Sequence, residues 1–81
     1  MTDYRPIDCA IYSRYELAIM HRERLRVCWH GEDGMSHVET LRPRDLQTRS
    51  GAEYLIATGA DDRRLELRLD RILEATPLQG S

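Results

Sequence analysis

Apolar and polar positions alternate with a two-residue period in two stretches of this chain, Leu25 to His30 and Arg64 to Asp70, and one segment near the start follows a helical period. From Cys9 to Arg22, Ile11, Tyr15, Ala18 and Ile19 recur at i, i+4, i+7 and i+8, the stripe of a helix with one buried face. Asp8 precedes it with an oxygen suited to an N-cap, so the pattern predicts a helix over 9–22. Tyr12, Ser13 and Glu16 fall off the stripe and are expected to face outward, whereas Tyr15 is expected inside. Upstream, Pro6 fixes its own backbone and pushes Arg5 toward an extended conformation, so residues 1–8 read as an extended lead-in.

The strand signals begin at Leu25, where Leu25, Val27 and Trp29 alternate with Arg26, Cys28 and His30. Gly31 and Gly34 bracket Glu32 and Asp33 as a hairpin turn, and a second strand over Met35 to Leu41 is predicted to stop at Pro43. The polar stretch Arg42 to Gly51 reads as a connection with one helical turn around Asp45 and Leu46. A third strand covers Glu53 to Thr58. After the turn Gly59 to Asp62, Leu65, Leu67 and Leu69 alternate with Arg64, Glu66, Arg68 and Asp70, the clearest period in the chain. A short last strand is expected over Ile72 to Ala75, ahead of a loose tail at 76–81. One helix and four or five short strands imply a mainly β fold: a small, strongly bent antiparallel sheet or barrel over 25–75, with the helix covering one open end. Sm-like and SH3-like barrels share this order.

Composition narrows the picture without changing it. Eighty-one residues, 41% hydrophobic and 32% charged, fit one globular domain spanning 1–81, and a monomer is expected. A net charge of -2 makes direct nucleic-acid binding an unlikely main activity, since phosphate-binding domains concentrate cations. All twelve basic residues are arginines, planar permanent charges suited to carboxylate pairing and interfaces. Cys9 and Cys28 are too few and too far apart for a disulfide framework or a CxxC motif, and read as small buried hydrophobes in a reducing cytosol. No apolar run approaches the roughly 20 residues of a membrane span, so a soluble cytoplasmic protein is expected.

The residues offer little chemistry. His21, His30, His37, Cys9 and Cys28 lack the close paired spacing of a structural zinc site, and no metal or other cofactor is expected. No nucleophile motif or glycine-rich phosphate loop is present, so no catalytic residue is assigned and the chain is read as a non-enzyme. Arg42, Arg44 and Arg49 could form an RNA-contacting rim on an Sm-like barrel, although acidic residues interrupt the basic runs. The tyrosines, Tyr4, Tyr12, Tyr15 and Tyr54, are rings with polar tips of the kind enriched at protein interfaces.

Several of these residues fall into a recognisable set. Tyr4-x-Pro6-Ile7-x-Cys9, then Tyr12, Glu16-Leu17-Ala18 and His21, with Asp33-Gly34, Asp45-Leu46, Glu53-Tyr54-Leu55 and Glu66-Leu67-Arg68-Leu69-Asp70-x-Ile72, resemble the Rho-binding antiterminator family, Rof. The resemblance implies a bacterial, Sm-like inhibitor that binds the primary RNA-binding surface of transcription termination factor Rho and blocks RNA loading. It places the contact on Tyr12, Ser13 and Glu16, with Tyr4 and Asp8 flanking, where an acidic surface would occupy a basic groove. Where that family tends to carry acidic residues after the cysteine, this chain has Ala10, Ile11, Ser13 and Arg14, and only Glu16 keeps the charge. The alternative is an Sm-like RNA-binding module using the Arg42, Arg44 and Arg49 rim.

Overall fold

The computed structural model describes residues 8–78 as a helix followed by five strands and a short 3-10 turn. Helix α1 is Cys9–Met20. It starts where expected: the Asp8 side chain accepts a hydrogen bond from the Ala10 N–H at 2.8 Å, satisfying a donor that a first helical turn cannot pair internally. It ends two residues short of the predicted limit. Arg22 adopts a positive φ of 55°, and the Glu23 N–H turns back onto the Ala18 carbonyl. Tyr15 and Ala18 are buried and Ile19 packs half-buried against them, but Ile11 is exposed in an open groove beside the last strand.

The strands are β1 (Leu25–His30), β2 (Ser36–Arg49), β3 (Ala52–Thr58), β4 (Arg64–Arg68) and β5 (Ile72–Pro77), with a 3-10 turn, η1 (Leu69–Arg71), between the last two. They pair antiparallel in the order β4-β3-β2-β1-β5. The largest departure from expectation is β2, which runs straight through Pro43 and replaces the predicted connection and helical turn. Proline cannot donate to a ladder, so a strand holds it most easily at an irregularity. Here the register slips between Pro43 and Asp45: Pro43 faces Ala57, Asp45 faces Ile56, and Arg44 is the extra residue of a bulge. β2 then turns into β3 through Ser50 and Gly51, both at positive φ (50° and 79°), the two-residue geometry whose twist matches that of paired strands.

η1 explains why the sheet is bent. It joins β4 and β5, which lie at opposite edges of a five-stranded sheet, about 19 Å apart were the sheet flat. Three residues of 3-10 turn rise only about 6 Å, so the sheet must roll until its edges approach. Among the described residues no ladder joins β4 to β5, so the roll stops short of a closed barrel. The mainly β fold with one N-terminal helix and a bent antiparallel sheet stands; the Sm-like barrel is corrected to an open sheet.

Inside the roll, Val27, Leu41, Leu55 and Leu69 are fully buried, joined by Tyr15, Ala18, Leu25, Ala57 and Leu67. The expected burial of the cysteines is not found: Cys9 is exposed at the start of α1, and Cys28 is partly exposed because it projects from the face of β1 opposite Leu25 and Val27. Among the described residues, no helix is long and apolar enough to cross a membrane.

Candidate ligand cleft

The open mouth of the rolled sheet is a cleft of about 170 Å³ lined by Trp29, His30, Gly31, Glu32, Tyr54, Glu66, Leu67, Arg68 and Arg71. The β1–β2 hairpin builds one wall. Trp29 and His37 are cross-strand partners, and their rings stack with centroids 5.5 Å apart and an interplanar angle of 22°. Asp33 fixes this arrangement from the turn, accepting from the Met35 N–H at 3.0 Å and meeting His37 Nε2 at 3.3 Å. These two contacts, the backbone one first, hold the Asp33 carboxyl below the usual aspartate range.

β3 and β4 build the other wall. Tyr54 and Arg68 face each other across the ladder, and the Arg49 guanidinium lies 4.5 Å from the centre of the Tyr54 ring, a cation–π contact. Arg49 also bonds Glu66, which Arg64 approaches at 3.4 Å, and the Arg49 contact chiefly holds the Glu66 carboxyl below its usual range. Arg68 grips Asp70 with two parallel hydrogen bonds of 2.8 and 2.7 Å, both side chains being largely buried. That pair fixes the corner where β4 passes into η1, which carries Arg71 to the cleft. Arg71 is half-buried there and forms no ion pair among the described residues. Two aromatic residues, Trp29 and Tyr54, and the permanent cation Arg71 therefore line one cleft, a combination suited to a planar or anionic ligand. Among the described residues no three His, Cys, Asp or Glu side chains gather to hold a metal ion.

The residues that the sequence resemblance placed at a partner contact lie elsewhere. Asp8 is the helix cap, Ser13 and Glu16 are exposed, and Tyr4 lies outside the described residues. Tyr12, expected to face outward, is half-buried against the core. Burial and the nearby carboxylates of Glu53, Glu16 and Asp45 push its hydroxyl above the usual tyrosine range, so α1, β2 and β3 meet in an acidic surface around this ring. The predicted arginine rim divides: Arg42 and Arg44 line grooves near the C-terminal end of α1, whereas Arg49 is engaged with Tyr54 and Glu66. The cleft wall itself was missed. Trp29 lies two residues before the GEDG turn and His37 three after it, and they pair because the loop closes between Gly31 and Met35, one residue beyond the turn read from the sequence.

A helix packed on a bent, open five-stranded sheet, with an aromatic and arginine-lined cleft at its mouth, defines a small mainly β domain of a distinct kind. Compared with known protein families, residues 10–77 match the WYL domain, and the chain belongs to that family. Among solved structures it is similar to proteasome accessory factor B/C (PafBC) of Arthrobacter aurescens, with a TM-score of 0.79 at 17% identity, a likeness of fold. The match covers 100% of this chain and 13% of that one, so the chain spans a small part of the length of its structural relative. No curated protein matches it.

These matches overturn the resemblance to the Rho-binding antiterminators, and with it the assignment of Rho inhibition, the Rho partner and the Sm-like RNA module. The pieces of that signature from Tyr12 to Ile72 fall inside the WYL match, on the helix stripe, the hairpin turn and the alternating strands. Such pieces reflect what any helix followed by a small bent sheet requires, and they carry little information about a partner.

Proposed function

We propose that this chain is the ligand-binding regulatory domain of a cytoplasmic transcription regulator, acting by binding and not by catalysis. Membership of the WYL family supports the setting, since such domains are found in regulators that bind DNA and ligands, PafBC among them. The observation that carries the reading is the cleft: Trp29, Tyr54 and Arg71, the last without an ion pair among the described residues, line one small space. A ring held against the aromatic walls with an anionic group on Arg71 would satisfy both, which is the chemistry of a nucleotide or another planar anion.

Trp29 is the single tryptophan, so its emission reports the cleft directly. Titration with AMP is expected to change that emission saturably. A charge-assisted hydrogen bond contributes about 1.5 to 3 kcal/mol, so Arg71→Ala should weaken the binding by roughly ten- to a hundredfold. Equal affinity in the variant would remove Arg71 from the site, and emission unmoved by AMP, inorganic phosphate or citrate would count against a planar or anionic ligand.

A further inference from the structure

Arginine in this chain is distributed unevenly between paired and unpaired positions. Arg49, Arg63, Arg64 and Arg68 are all engaged with carboxylates. Arg22, Arg24, Arg42 and Arg44 form no ion pair among the described residues, and they converge on two adjoining grooves at the C-terminal end of α1. Arg22, Arg42 and Arg44 line the first of these, and Arg24, Arg42 and Arg44 the second. All four are exposed, and one carboxylate, Asp62, lines the second groove.

Strand alternation and the helix end create this cluster. Arg42 and Arg44 lie two residues apart on β2, on the face opposite the buried Leu41 and Pro43, and the register slips between Pro43 and Asp45. Arg22 terminates the helix at φ 55°, where glycine is the residue sterics prefer and any other side chain is strained. The chain thus carries a cation at a position where an uncharged glycine would be easier to fold. Neither groove is lined by a tyrosine, tryptophan or histidine. Unstacked bases of a single strand are commonly held on such rings as stacking platforms, whereas a duplex keeps its bases stacked and can be held through its phosphates without them.

From this geometry we infer that Arg22, Arg24, Arg42 and Arg44 form a contact surface for the phosphate backbone of duplex DNA, separate from the ligand cleft. The choice of DNA over another duplex rests on the regulator reading; the attraction to phosphate does not. In a domain of net charge -2, the surface acts through local concentration of arginine and reads no sequence.

Fluorescence anisotropy of a labelled DNA duplex with the full chain tests the inference. Four phosphate contacts predict that log K falls with log salt with a slope of about -3.6. Arg42→Ala with Arg44→Ala should bring the slope to about -1.8. Arg22→Gly should reduce it by about 0.9 while leaving the thermal midpoint unchanged or raised, a combination that separates loss of binding from loss of folding. Asp62→Asn, which keeps a residue tolerant of its φ of 61°, should tighten binding. Absence of binding at about 50 mM salt, a slope unmoved by the paired substitution, or tighter binding of a single strand than of the duplex would overturn the proposal. A normal Trp29 response to AMP alongside absent DNA binding would remove this surface and leave the cleft standing; the reverse outcome would do the opposite.

Discussion

Asp33 and Glu66 are small, exposed features, yet Asp33 braces the hairpin locally and Glu66 ties together strands that are remote in the chain. Asp33 links the hairpin turn to the His37 ring that Trp29 stacks on. Glu66 joins β4 to the end of β2 through Arg49. Both carboxyls titrate below their ordinary values of 3.8 and 4.5, for reasons of hydrogen bonding first and nearby positive charge second. A carboxyl with a depressed folded pKa binds its proton more readily in the unfolded chain. Its stabilising contribution is therefore full above the ordinary value and is lost as pH falls through the lower, folded value. The thermal midpoint should hold steady toward pH 4.5 and fall below it, and Asp33→Asn with Glu66→Gln should flatten that fall. An equally steep decline in the double variant would assign the acid sensitivity to other carboxylates. The Arg49–Glu66 pairing was not legible in the sequence, because these residues meet only after β2, β3 and β4 have registered.

At the level of elements, legibility followed the strength of the local period. The Leu65, Leu67, Leu69 alternation placed β4 correctly, and the Tyr15, Ala18 and Ile19 spacing placed α1, since a single buried face dictates each. β2 was misread because Pro43 is a stop signal on its own, and only the partner strand supplies the bulge that accommodates it. The β2–β3 turn was missed for a related reason: Ser50-Gly51 is a weaker hairpin signal than Asn-Gly, though it adopts the same positive φ at both positions. That difference can be measured. Ser50→Asn should raise stability by a few tenths up to about 1 kcal/mol, because asparagine tolerates the left-handed region better than serine. Gly51→Ala should lower it by about 1 kcal/mol. An added Cβ there meets no atom within 4 Å, so the loss would be backbone strain alone, visible as a shifted urea midpoint at unchanged slope.

On the scale of the whole molecule, the fold places two kinds of charge chemistry at different sites on one sheet. β2 serves both. Its middle carries Arg42 and Arg44 to the grooves beside α1, while its ends carry Arg49 and His37 to Tyr54 and Trp29. Net charge hid this separation, since arginines held by carboxylates and arginines left open count equally in a sum. The cleft and the core are also built from the same strands: Trp29 follows the buried Val27 on β1, and Tyr54 precedes the buried Leu55 on β3. With an open sheet rolled around a single cluster, the cleft has no separate support and should not survive loss of the core. Urea unfolding followed by Trp29 emission and by far-ultraviolet circular dichroism should therefore give coincident transitions. If Trp29 emission changed well before the backbone signal, the β1–β2 hairpin would be a locally unstable element able to open while the core holds, and the cleft walls would be mobile relative to each other.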